Sequence, residues 1–153
     1  MKRRALLCAV FSAAILLGCA TPSITQVAPG VLECPRAQCQ LTISIDSNGN
    51  VSADHMQVNL KVPNTIITWT LNNRPGFPTY EFRSGFPTES IVFKDPNAAA
   101  ASSEFTGRTA SGTFYRIRNT GTNRNIKFGY EVRVFPVGGG SPKILDPTLF
   151  NDF

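Results

Sequence analysis

The sequence is poor in the residues from which most catalytic centres are assembled. It contains one histidine, one tryptophan, two methionines and four cysteines among 153 residues. A single imidazole, His55, excludes most histidine-built metal sites and leaves any serine or cysteine nucleophile only one candidate base. No nucleophile elbow, phosphate-binding loop or Gly-x-Gly-x-x-Gly pattern occurs, and the glycine run 138–140 precedes Ser141-Pro142 in what reads as a flexible loop. No two carboxylates are placed together by the pattern, and Asp146 and Asp152 read as solvated. Zinc-finger, helix-turn-helix and RNA-binding patterns are missing too, so nucleic acid is not expected as a partner. Also missing is any apolar run of the ~20 residues needed to cross ~30 Å of hydrocarbon.

A shorter apolar run is present, and it reads as a sorting signal. Lys2, Arg3 and Arg4 supply a positive start, and residues 5–17 are apolar or small without interruption. The run ends in Leu16-Leu17-Gly18-Cys19, which resembles the lipobox of bacterial lipoproteins. The resemblance implies that Cys19 receives a diacylglycerol, that residues 1–18 are cleaved away, and that Cys19 becomes the first residue of the mature chain. Ala20 in place of aspartate implies release to the outer membrane, on its periplasmic face or at the cell surface. An ordinary secretory signal and a twin-arginine signal on Arg3-Arg4 are the alternatives. Multiple acylation at about 0.8 kcal/mol per buried methylene would hold the chain firmly to its membrane. Residues 19–30 are polar, hold Pro22 and Pro29, and show no hydrophobic period, so they are expected to form a tether. At ~3.3 Å per residue it spans about 40 Å at most. Loss of the leader's three cations leaves twelve basic against ten acidic side chains, too mild a balance to imply a polyanionic nucleic-acid partner.

Cysteine usage fits the same compartment. Cys8 leaves with the leader and Cys19 carries lipid, so Cys34 and Cys39 remain and are expected to form a disulfide. A redox pair of the thioredoxin kind has two intervening residues rather than four, and a metal site would lack further ligands.

Residues 31–153 are expected to form one domain. Alternation of period two marks strands at residues 41–45, 56–62, 65–71, 80–82, 90–93, 113–119 and 125–136. Residues 98–103, AAAASS, read as a loop or brief helix. Seven strands with turn signals between them argue an all-β, single antiparallel Greek-key β-sandwich, cupredoxin-like or Ig-like. Trp69 is expected in the core with Ile43, Ile45, Tyr115, Phe128, Tyr130 and Val132. Gly76-Phe77-Pro78-Thr79 recurs as Gly85-Phe86-Pro87-Thr88, either as two similar turns or as an exposed aromatic pair, Phe77 with Phe86.

The order Ile67-Thr68-Trp69-Thr70-Leu71, Ile91-Val92-Phe93 and Phe128-Gly129-Tyr130-Glu131-Val132 resembles small cupredoxin-like sandwiches. Leu145-Asp146-Pro147 with Asn151 resembles the close of uncharacterised exported proteins of this type. The resemblance implies a fold and no activity. A blue-copper centre needs two histidines and a cysteine thiolate, usually with an axial methionine. With His55 and Met56 alone outside the leader, no metal or other cofactor is expected.

The two longest C-terminal segments suggest a hairpin that pairs Ile117 with Ile126 and Tyr115 with Phe128 inward, and sets Phe114 against Gly129 and Arg116 against Lys127 outward. Arg116, Arg118, Arg124 and Lys127 would then form a basic patch for an anionic surface, such as lipid headgroups or an acidic partner. The expected function is a membrane-anchored envelope lipoprotein, a non-catalytic binding or structural module whose partner is an envelope protein or anionic lipid. The alternative is a small accessory enzyme or redox protein at the periplasmic membrane face.

Overall fold

The computed structural model describes residues 30–94 and 97–153. The leader, Cys19 and the tether up to residue 29 lie outside the described residues. Twelve strands and one helix follow in order: β1 (Val31–Cys34), β2 (Gln38–Ile45), β3 (Val51–Ala53), β4 (Gln57–Leu60), β5 (Ile66–Asn72), β6 (Tyr80–Glu81), β7 (Ile91–Phe93), α1 (Ala98–Glu104), β8 (Phe105–Ser111), β9 (Phe114–Asn119), β10 (Ile126–Pro136), β11 (Lys143–Leu145) and β12 (Thr148–Asn151). They form two sheets, as an all-β sandwich requires. One is five-stranded in the order β3-β2-β5-β9-β8. The other holds seven strands, with β1-β4-β12-β10-β11 in sequence and β6 and β7 also paired to β10.

The expectation of a purely antiparallel sandwich is corrected by three parallel pairs, β1–β4, β4–β12 and β2–β5. Their cause is the path of the chain. After the short hairpin β2–β3 it crosses to β4 in the other sheet and returns as β5, beside β2 and pointing the same way. Tight turns give antiparallel neighbours, whereas excursions through the opposite sheet allow parallel ones.

The alternation in each strand sorts residues between core and surface. Ile43, Ile67, Trp69, Tyr115, Phe128 and Val134 show no exposed surface at all, and Ile45, Tyr130 and Val132 are equally part of the core. Trp69 lies at its centre. Its ring meets Tyr115 edge-on at 6.2 Å and Tyr130 at 5.7 Å, the offset geometry that aromatic quadrupoles favour. Phe93, Phe105 and Phe128 form a second aromatic group, with Phe93 and Phe105 stacked at 4.3 Å.

The proposed β9–β10 hairpin does not form. β9 pairs with β5 on one edge and β8 on the other, while β10 pairs with β12 and β11, and with β6 and β7. Tyr115, Ile117 and Phe128 point inward as expected, but they enter the core from opposite sheets, not along a shared ladder. Arg116 therefore never opposes Lys127; its Cα partners are Thr68 and Thr109. Phe114 does not cover Gly129 but lies beneath the Arg116 guanidinium, 5.5 Å from ring centre to Cζ.

The crossing from β9 to β10 is held by a buried carboxylate that ends α1. Glu104 has no exposed surface. One of its oxygens accepts from the Gly121 amide at 2.8 Å and Asn151 Nδ2 at 2.9 Å, and the other from the amide and Nδ2 of Asn123, both at 2.8 Å. Asn151 also donates to the Asn123 carbonyl at 2.7 Å and accepts from Asn119 Nδ2 at 2.9 Å, which links the two sheets directly. Four N–H groups stand in for lost water, the condition on which a buried carboxylate is tolerated. Gly121 is the residue the crossing requires. Its φ is +76° and a Cβ there would run into Pro63.

Glu104→Gln preserves volume but turns an amide donor toward one of the two donor pairs, that of Gly121 and Asn151 or that of Asn123. We predict a loss of about 1–3 kcal/mol, the cost of leaving buried donors unsatisfied, read by urea denaturation. An unchanged midpoint would show that the crossing holds without the carboxylate.

Candidate functional site

Two surface features stand out from the fold, one at a loop and one on a sheet. The loop joins β6 to β7 and is closed at its base by the Ser90 hydroxyl, which accepts from the Arg83 amide at 2.8 Å, and by the Ser90 amide, which donates to the Arg83 carbonyl at 3.0 Å. Within it, a turn from the Thr88 amide to the Gly85 carbonyl, 2.9 Å, carries Phe86 at its tip. Phe86 is 98% exposed, far more than any other large apolar side chain of the described residues.

Phe86 and Pro87 rim an open cleft of about 430 Å³. Ile91, Val92 and Phe93 give it an apolar wall, Ala98 and Ser102 of α1 another, and Glu89, Arg108 and Arg133 its charge. Glu89 is tied down on several sides. It accepts from the Tyr115 hydroxyl and from the Gly85 amide at 3.2 Å, and Arg108 stands 3.8 Å away. Burial, then the adjoining Glu89 carboxylate, holds the Tyr115 phenol well above its ordinary value of 10.0, so Tyr115 stays a donor. The Arg133 guanidinium is spent on Glu131, at 2.5 Å from Nη2 and 2.7 Å from Nε. These contacts fix the loop to the sandwich. They leave the cleft an apolar surface with a paired charge at one side.

The repeated Gly-Phe-Pro-Thr tetrapeptides do not play equal parts. Phe77 is half-buried in a turn closed by its own amide on the Arg74 carbonyl at 3.2 Å, whereas Phe86 stands clear of the surface. The identical letters occupy different turn positions, with Gly76 inside the first turn and Gly85 opening the second. The aromatic of the second copy is therefore the one offered to solvent.

The second feature is electrostatic. Strands β2, β3, β5, β8 and β9 contain no aspartate or glutamate, and carry Arg108, Arg116 and Arg118. The seven-stranded sheet instead mixes signs, with Glu33 bound to Lys61 at 3.0 Å and Glu131 placed between Lys94 and Arg133.

Of the four basic residues singled out from the sequence, Arg116 and Arg118 share the outer face of β9, and neither makes an ion pair among the described residues. Arg124 is exposed in the β9–β10 crossing. Lys127 lies on the outer face of β10, in the other sheet. The set is thus divided between two faces, because β9 and β10 are not neighbours. Arg118 and Lys127 still sit at one end of the sandwich, each next to a residue of the rung marked by the Asn119–Asn151 bond.

Cys34 and Cys39 are joined, with their Cα atoms 5.6 Å apart. Cys19 lies outside the described residues. His55 Nδ1 is 3.0 Å from the Gly30 carbonyl, a local contact beside β1. No group of three or more histidine, cysteine or carboxylate side chains able to hold a metal occurs among the described residues, and none of their helices is long and apolar enough to cross a membrane. The chain matches no protein-family model and no curated protein.

Sequence reasoning missed Glu104, Glu89 and Arg108. Nothing in AAAASSEF distinguishes a buried glutamate from a solvated one, and two partners of Glu89, Arg108 and Tyr115, come from β8 and β9. The signal that could have pointed to the five-stranded face was present: an absence of acidic letters across five separate segments.

Proposed function

We propose that this protein is a lipid-anchored envelope lipoprotein, carried on the outer membrane by acylated Cys19 and binding an envelope partner without catalysis. The observation that carries the binding half is Phe86, a fully hydrated aromatic ring at the rim of an apolar-walled cleft. Exposing such a ring is unfavourable in water, and burying it against a partner would recover that cost. The ionisable groups of the cleft support recognition in preference to chemistry, since Glu89 and Arg133 are already engaged by Tyr115, Gly85 and Glu131. A tether of up to about 40 Å lets the domain meet its partner clear of the headgroups. We further read the sandwich as a cupredoxin-like Greek key used as a scaffold, without copper.

Two experiments separate the anchor from the cleft. Cys19→Ser should leave an uncleaved, unacylated precursor that no longer incorporates labelled palmitate; a processed, lipid-labelled product would refute the anchor. A photo-crosslinking residue at position 86, in living cells, should give a discrete adduct with one envelope component. An adduct equally strong from Val137, another exposed apolar position, would show that position 86 is not a specific contact.

A further inference from the structure

The outer face of the five-stranded sheet is not flat. The β8–β9 ladder slips between Thr106 and Thr109, so that Gly107 and Arg108 together face the single residue Ile117. Gly107, at φ +63° and with no atom within 4 Å of where a Cβ would stand, leaves the surface open there. The result is a depression of about 360 Å³ bordered by Ile66, Thr106, Gly107, Arg116 and Arg118. A smaller one of about 120 Å³, between Gln38, Gln40, Thr68 and Arg116, adjoins it through Ile66 and Arg116. Joined, they make a trough that crosses β8, β9, β5 and β2 in turn. Three inter-strand spacings of ~4.8 Å make it about 14 Å long, more than a single small ion fills.

Its rim is basic and polar, over a floor to which Ile66 and Ile117 contribute apolar surface. Arg116 and Arg118 stand on one face of β9, two residues and about 7 Å apart along the strand, with the Arg116 guanidinium resting over Phe114. Gln38, Gln40, Thr68 and Thr106 add amides and hydroxyls that both donate and accept. No carboxylate belongs to any strand of this sheet, so nothing on these strands competes for the guanidiniums. The exposed large apolar residues, Val31, Phe86, Val137 and Ile144, all lie elsewhere. A lipid surface would call for apolar groups to insert beside the cations. An elongated trough carrying two arginines and several amides and hydroxyls fits an extended, hydroxylated polyanion better.

We propose that this trough binds an acidic polysaccharide, a sugar chain bearing carboxylates, with Arg116 and Arg118 gripping the acid groups and the Gln and Thr side chains meeting the hydroxyls. Guanidinium forks match carboxylates in shape as well as charge. The site is separate from the Phe86 cleft and stands whether or not that reading does.

The test uses the full protein in a neutral detergent, titrated calorimetrically with alginate oligomers, with neutral dextran oligomers, and with phosphatidylglycerol vesicles. Saturable alginate binding is expected, with none to dextran, and with a loss of about tenfold or more in the Arg116→Gln, Arg118→Gln double variant. Gln40→Ala should weaken it less, Phe86→Ser not at all, and high salt strongly. Unchanged Trp69 emission confirms that each variant is folded. Absence of alginate binding, or binding indifferent to the arginine pair, overturns the proposal. Tighter, arginine-dependent binding to the vesicles would overturn it too, in favour of a lipid-facing sheet.

Discussion

The structure depends on a carboxylate with no surface. Glu104 accepts four N–H bonds from Gly121, Asn123 and Asn151, and those residues are the means by which the chain leaves one sheet and enters the other. A strand at this point has two options. It can turn back as a hairpin beside itself, or cross the sandwich. The residues between β9 and β10 contain every ingredient of a hairpin loop, and what selects the crossing is a buried acceptor that collects the loop's donors. The Cys34–Cys39 disulfide braces another crossing, from β1 to β2, at the same end: Cys34, Leu60 and Asn151 are partners on successive ladders. One covalent and one hydrogen-bonded clamp therefore fix the two sheets at this end.

Fixing the sheets separates their surfaces. Because β9 lies between β5 and β8, Arg116 and Arg118 face out among threonines and glutamines and meet no acid of their own sheet. Because β10 lies in the opposite sheet, its charges alternate in sign and neutralise locally through Lys94, Glu131 and Arg133. The same division sets Tyr115 beneath the β6–β7 loop, where its hydroxyl holds Glu89 and so positions Phe86 at the cleft. Both candidate binding surfaces thus descend from the partition of strands.

How much was legible follows from what each signal encodes. Alternation reports which side of a strand is wet, and it placed Trp69, Tyr115, Phe128 and Val132 correctly in the core. It carries no information on which strand lies alongside, and the β9–β10 register, though internally consistent, pairs residues that belong to opposite sheets. Short strands such as β3 and β11, and the Thr- and Gly-rich β8, fall below the length or hydrophobicity at which a period can be read. Glu104 was invisible for another reason. Its burial depends on residues at 119–123 and 151, and on an amide set that no local window contains. The repeated tetrapeptide marks Phe77 and Phe86 alike, and only the turn geometry distinguishes them.

The claim that Glu104 sets the crossing is tested most directly by native-state hydrogen exchange at the amides of Gly121 and Asn123. Both sit in a polar connection whose sequence alone would predict exchange at loop rates. If their bonds to Glu104 organise the crossing, the two amides are protected to the level of the central strands, and Glu104→Gln releases at least one of them. Exchange at unprotected loop rates in the unaltered protein would contradict the account.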